Sequence, residues 1–92
     1  MAVEASQIAN LLAIARHGSF TRAAAEKGMS QPALSNSIAL LEQRLGVKVL
    51  ERTRRGSTLT AFGEILVRRA EGVHSLLSDA ETEVRSHAAG IA

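Results

Sequence analysis

Three times in the first half of the chain an apolar repeat at helical spacing runs into a glycine: His17-Gly18, Lys27-Gly28 and Leu45-Gly46. Glycine takes the left-handed conformation that closes a helix without steric penalty, so each pair marks a helix end. The helices so bounded are short, about residues 6–17, 19–27 and 30–45. Ser6 is the expected cap of the first, with Ile8, Leu11, Leu12 and Ala15 as its buried stripe. Ser19 or Thr21 caps the second, which packs through Phe20, Ala23 and Ala24, with Met29 tucked inward after it. Ser30 caps the third. There Pro32 sits in the first turn, where its missing N–H breaks no internal bond, and Leu34, Ile38, Leu41 and Leu45 form the packing stripe. A short helix, a tight turn around Gly28 and a longer helix make a helix-turn-helix.

From Val47 the period changes. Val47, Val49 and Leu50 alternate loosely, Arg52-Thr53-Arg54-Arg55-Gly56 interrupts, and Ser57-Thr58-Leu59 follows. This pattern predicts a short β-hairpin that leans on the helices as a wing. Thr60 then caps a last helix reaching about His87. Beyond Phe62, Ile65 and Leu66, the residues Leu66, Ala70, Val73, Leu77, Ala80 and Val84 recur in steps of four and three, the seam of a coiled coil. Such a helix extends about 40 Å, so its far half outruns any core within a domain this small. A second copy is the simplest cover, and the expected interface is Phe62, Leu66, Ala70, Val73, Leu77, Ala80 and Val84. Gly63 and Gly72 are expected to weaken this helix by roughly 1 kcal/mol each.

The fold class that follows is mainly α: a winged helix-turn-helix over residues 1–59 with a two-stranded β-wing, then a long linker and dimerisation helix over 60–88. Residues 89–92 read as the start of a connector. With 92 residues there is room for one core only. The chain has no cysteine, which excludes disulfides and thiolate chemistry. Its only aromatic residues are Phe20 and Phe62, which argues against base-stacking modules for single strands. No apolar run spans a membrane and no leader precedes Glu4. His17, His74 and His87 show neither metal-ligand spacing nor a carboxylate at helical offset, and no nucleophile–base set is present. Neither catalytic residues, nor a metal, nor a cofactor is expected, and the chain is not expected to be an enzyme.

The net charge of +2 hides an uneven distribution. Residues 16–69 hold ten of the eleven Lys and Arg against four acids, while residues 70–92 hold one Arg against four acids. A basic middle beside an acidic end suits a polyanion partner, though an ordinary solvated surface has the same composition. With the stripe of the third helix turned inward, its opposite face holds Pro32, Ser35, Asn36, Ala39 and Gln43, with Gln31 at the flank. A solvated face usually carries Lys and Glu. This one is short, polar and neutral, and such a ridge can enter a major groove and bond base edges. Arg52, Arg54 and Arg55 crowd the hairpin, where they can reach phosphate or a narrow minor groove. They equally suit a charged edge that blocks strand pairing, and Arg52 has Glu51 as a possible partner. Arg22 can clamp a phosphate from the start of the second helix.

The run Gly18-Ser19-Phe20-Thr21-Arg22-Ala23-Ala24-Ala25, then Ser30-Gln31-Pro32-Ala33-Leu34-Ser35, Leu41-Glu42 and Leu45-Gly46, resembles the N-terminal domain of LysR-type transcriptional regulators. So does the wing, Val49-Leu50-Glu51-Arg52-Thr53 followed by Leu59-Thr60-Ala61-Phe62-Gly63. The resemblance covers about residues 5–88. It implies double-stranded DNA as partner, contacted by Gln31, Pro32, Ser35 and Asn36 in the major groove, by Thr21 and Arg22 at the backbone, and by the wing arginines Arg52, Arg54 and Arg55. It also implies a homodimer through the linker helix on an interrupted inverted repeat, in the bacterial cytoplasm. A longer parent chain would form tetramers and bind a small-molecule effector through a C-terminal domain absent here. The family commonly has Arg or Lys after Ser35, where this chain has Asn36, and charge further along, where it has Ser37, Ala39 and Leu40. Asn36 is therefore expected to read a base rather than a phosphate. The alternative is a dimerisation or protein-interaction module whose helix-turn-helix is only structural.

Overall fold

The computed structural model describes residues 3–90. Its elements are α1 (Ala5–His17), α2 (Phe20–Lys27), α3 (Gln31–Leu45), β1 (Leu50–Thr53), β2 (Gly56–Leu59) and α4 (Ala61–Ala88). Gly18, Gly28 and Gly46 all take positive φ at the three helix ends. Ser19 Oγ accepts from the Arg22 N–H, Ser30 Oγ from the Ala33 N–H and Thr60 Oγ1 from the Gly63 N–H, so the expected caps of α2, α3 and α4 form. The cap of α1 is Glu4 instead of Ser6, with its backbone N–H donated to Gln7 Oε1 at 3.0 Å.

The core brings together Leu11, Ile14, Phe20, Ala23, Leu34, Ile38, Leu41 and Val49. On α1 the buried residues are Gln7, Asn10, Leu11, Ala13 and Ile14, and the stripe Gln7, Asn10, Leu11 and Ile14 lies one residue earlier than the apolar pattern indicates, while Ile8, Leu12 and Ala15 are only half-buried. The shift arises because two amides face inward and are satisfied there. Gln7 accepts from Glu4, and Asn10 Nδ2 donates to Ser37 Oγ of α3 at 2.8 Å. Among the described residues no buried side-chain polar atom lacks a partner. Leu45 is also corrected: it is 38% exposed. It lies in the last turn of α3, beside the start of α1, where Arg44 reaches Glu4 at 3.6 Å, so little of the facing helix remains to cover it.

The hairpin is antiparallel, pairing Leu50 with Leu59 and Thr53 with Gly56. The strands therefore begin later than Val47 and run through Arg52 and Thr53, leaving only Arg54 and Arg55 at the tip. Val49 stays outside the strand but is fully buried. Bonds to the wing backbone tie it to the helices at both ends. Glu42 Oε2 accepts the Val49 and Leu50 N–H groups at 2.8 and 3.3 Å. At the other end the Ser57 N–H donates to the Gly18 carbonyl at 3.2 Å. A Cβ on Gly56 would lie 2.5 Å from that same carbonyl oxygen, so the close approach requires glycine.

The α4 helix starts against the globule. Thr60 Oγ1 donates to the Lys48 carbonyl at 2.6 Å, and a Cβ on Gly63 would collide with the Val49 carbonyl oxygen. Leu66 and Val67 pack on the core, so Leu66 belongs partly to the monomer rather than wholly to a free seam. The helix stays beside α1 as far as Glu71, His74 and Ser75, which share a depression with Ala9, Leu12 and Arg16, and the molecule measures 52 × 28 × 22 Å. Its uncovered apolar residues are Phe62, Ile65, Val73, Leu76, Leu77 and Val84. No helix among the described residues is long and apolar enough to cross a membrane. Of the residues 89–92 read as a connector, Ala89 and Gly90 form a turn after α4, and the last two lie outside the described residues.

Candidate nucleic-acid interface

Three elements meet on one side of the molecule: the first turn of α2, the first turn of α3, and the wing. Ser19, Phe20, Gln31, Arg52, Thr53, Gly56 and Ser57 line one shallow depression between them. Gln31 Nε2 donates to Thr21 Oγ1 at 3.2 Å, joining the two helix starts. Arg52 Nη2 donates to Ser35 Oγ at 2.7 Å, joining wing to α3. The arrangement follows from the local sequence. Ser19 and Ser30 start both helices on this side, and Gly28 lets the second turn back upon the first.

Of the expected contact residues, Thr21, Arg22, Gln31, Pro32 and Asn36 are exposed, and Ser35 is half-buried. Ala33, Ala39 and Leu40 are exposed on the same helix, so its outer surface carries no charge between Gln31 and Gln43. A surface of that kind can approach base edges without displacing long charged side chains, and the free N–H groups of the α2 and α3 first turns suit phosphate oxygens.

The wing arginines separate into two kinds. Arg54 and Arg55 are exposed at the tip, with no ion pair among the described residues. Arg52 lies inside β1, over the Phe20 ring at 4.0 Å and against Ser35. Its expected partner Glu51 is on the other face of the strand, as alternation requires. Thr53 Oγ1 accepts the Arg55 N–H at 3.2 Å and donates to the Gly56 carbonyl at 3.1 Å, which holds the tip in shape.

Sequence reasoning missed three features. Glu42, 12% exposed, fixes the start of the wing, and its only signal was a lone acid on an otherwise apolar flank. His17 has no carboxylate at helical offset, but Glu26 reaches it across the α1–α2 corner. Glu26 Oε1 lies 2.8 Å from His17 Nε2 and Glu26 Oε2 lies 2.5 Å from Arg16 Nη2. These two partners, His17 first, hold the Glu26 carboxyl below its ordinary value. On α4, Ile65 and Leu76 join the uncovered stripe, Leu76 being 71% exposed. At 100° per residue both flank Phe62, Val73 and Ala80, a signal that the strict heptad reading passed over.

The model of the bacterial regulatory helix-turn-helix proteins of the lysR family matches residues 5–64. The chain is 42% identical over 78 residues to the HTH-type transcriptional regulator BbuR of Bordetella bronchiseptica, covering 85% of this chain and 24% of that protein. It spans about a quarter of the length of the curated relatives it matches. Among solved structures it is similar to the CbnR DNA-binding domain in complex with DNA, at 32% identity and a TM-score of 0.77, covering 96% of this chain and 99% of that one. It is likewise similar to the BenM DNA-binding domain with catB site 1 DNA, at 28% identity and a TM-score of 0.84, covering 100% and 97%.

Proposed function

The chain belongs to the lysR family of bacterial regulatory helix-turn-helix proteins, and from that premise we propose that it binds double-stranded DNA sequence-specifically, as a homodimer on an interrupted inverted repeat. The observation that carries this reading is the neutral, exposed ridge of α3 standing beside the uncovered Arg54 and Arg55 of the wing. Phosphate neutralisation by Arg22, Arg54 and Arg55 supplies most of the affinity and makes it fall steeply with salt. Gln31, Ser35 and Asn36 supply discrimination, at roughly 1–3 kcal/mol for each good bidentate contact to a base. Pro32 offers an apolar edge beside them, and Thr21 a backbone contact.

The second copy pairs through the uncovered stripe of α4 and presents the reading surface twice, which matches a two-fold repeat in the target. Tetramer assembly and small-molecule control belong to a C-terminal domain of a longer parent chain. The role is one of transcription control on the cytoplasmic nucleoid, without a catalytic step.

Selection of bound duplexes from a random pool tests the reading. It is expected to return two related half-sites of opposite orientation at fixed spacing. Retention of all duplexes alike would remove the specificity, and no salt-dependent retention at all would leave an interaction module built on α4.

A further inference from the structure

We infer that Arg52 sets the hydrogen-bonding polarity of Ser35, so that Ser35 donates to an acceptor edge of a base and rejects cytosine. The inference rests on the DNA-binding reading above and adds to it a residue that acts on specificity without itself reading a base.

A free serine hydroxyl both donates and accepts, so it serves several bases without choosing among them. Ser35 is not free in that sense. Arg52 Nη2 lies 2.7 Å from its Oγ. A guanidinium has donors only, so the oxygen must be the acceptor in this bond. Lone-pair density drawn toward a cation makes the hydroxyl a stronger donor outward and a poorer second acceptor. In the major groove, purine N7, guanine O6 and thymine O4 accept, whereas cytosine shows only the N4 donor. An N4 amino group brought to Ser35 meets an oxygen already committed, beside a positive charge. Cytosine is disfavoured at that position.

The polarity is built into the fold because Arg52, although exposed, is held through both its side chain and its backbone. Its guanidinium lies 4.0 Å from the centre of the Phe20 ring, and Phe20 is a core residue. Its backbone pairs with Ser57, whose N–H is tied to the Gly18 carbonyl at 3.2 Å. The neighbouring hydroxyl repeats the arrangement. Thr21 Oγ1 accepts from Gln31 Nε2 at 3.2 Å, which leaves its own O–H free to donate.

Arg52 is therefore a positioning residue, and base preference is the readout that a merely structural or phosphate-binding arginine would not move. Duplex selection with the full chain is run on the unsubstituted protein and on Ser35→Ala, Arg52→Met, Arg52→Gln and Arg52→Lys. The unsubstituted protein should deplete cytosine at one position per half-site, on the strand under α3, and Ser35→Ala should abolish that depletion and so identify the position. Arg52→Met should reduce it about five- to tenfold, the worth of one ordinary hydrogen bond. Arg52→Gln, whose amide also accepts, should relax it too, and Arg52→Lys should restore most of it. Depletion that survives both Arg52→Met and Arg52→Gln, with affinity lowered evenly for all duplexes, overturns the inference while leaving the DNA-binding reading standing. Cytosine depletion untouched by Ser35→Ala overturns it equally. If the unsubstituted protein selects no sequence, the DNA-binding reading fails and this inference fails with it.

Discussion

Glu42 carries more of the wing than any arginine in it. Its carboxylate takes both the Val49 and Leu50 N–H groups and also faces Lys48 at 3.5 Å. Removing it leaves two backbone donors without a partner at the point where α3 hands over to the hairpin. Glu42→Ala should lower the unfolding free energy by about 1–3 kcal/mol, measured by denaturant melts. Glu26 acts at the surface and through pH. Because His17 and Arg16 hold its carboxyl below the ordinary value of 4.5, the folded state favours the ionised form. Its stabilisation is thus present above that value and is lost as pH falls through the lowered one. The stability gap between the protein and Glu26→Gln should close as pH drops below about 4.5, and a gap that widens there would contradict the sign. At the reading surface, Asn36 is exposed with no charge of its own. Asn36→Ala should flatten preference at one base position and leave non-specific affinity nearly unchanged, as seen in binding to operator and to random duplex.

Among the elements, α4 holds two glycines that the sequence treats alike and the structure does not. Gly72 has open space around it, whereas a side chain on Gly63 meets the Val49 carbonyl. Gly72→Ala should raise stability by about 1 kcal/mol through helix propensity alone. Gly63→Ala should lower it by about 1–3 kcal/mol as the helix start is pushed off the wing. Thermal melts of the two variants should move in opposite directions. The same contrast shows what was legible. Helix ends, caps and the turn at Gly28 depend on residues within four positions of one another, so the caps of α2, α3 and α4 are legible in the sequence. The stripe on α1 was misread by one residue because Gln7 and Asn10 are polar, and only the position of Ser37 across the core makes Asn10 an inward residue.

At the scale of the whole molecule, α4 carries an uncovered apolar stripe outside the core. Val73, Leu76, Leu77 and Val84 are each more than half exposed, a surface that a second copy can bury at roughly 25 cal/mol per Å2. Leu76→Lys with Leu77→Lys should shift sedimentation toward the monomer and weaken binding to a two-half-site duplex far more than to a single half-site. The wing tip behaves oppositely. Arg54→Gln should weaken all duplexes alike and reduce the salt slope by about one, measured over a range of salt concentrations.

Periodicity, capping residues and helix-ending glycines were enough to establish three short helices, a hairpin and a long fourth helix, because each depends on contacts between near neighbours in the chain. The tertiary structure alone decided which polar groups are committed and to whom. Asn10 meets Ser37, Glu42 meets the start of β1, His17 meets Glu26, and Arg52 meets Ser35 and Phe20. Each of these pairs joins different segments of the fold, and its existence depends on how α1 crosses α2 and α3 and where the hairpin comes to rest. Chain spacing carries no record of that geometry, since the same residues at the same intervals would be solvated on any helix that packed a few degrees differently.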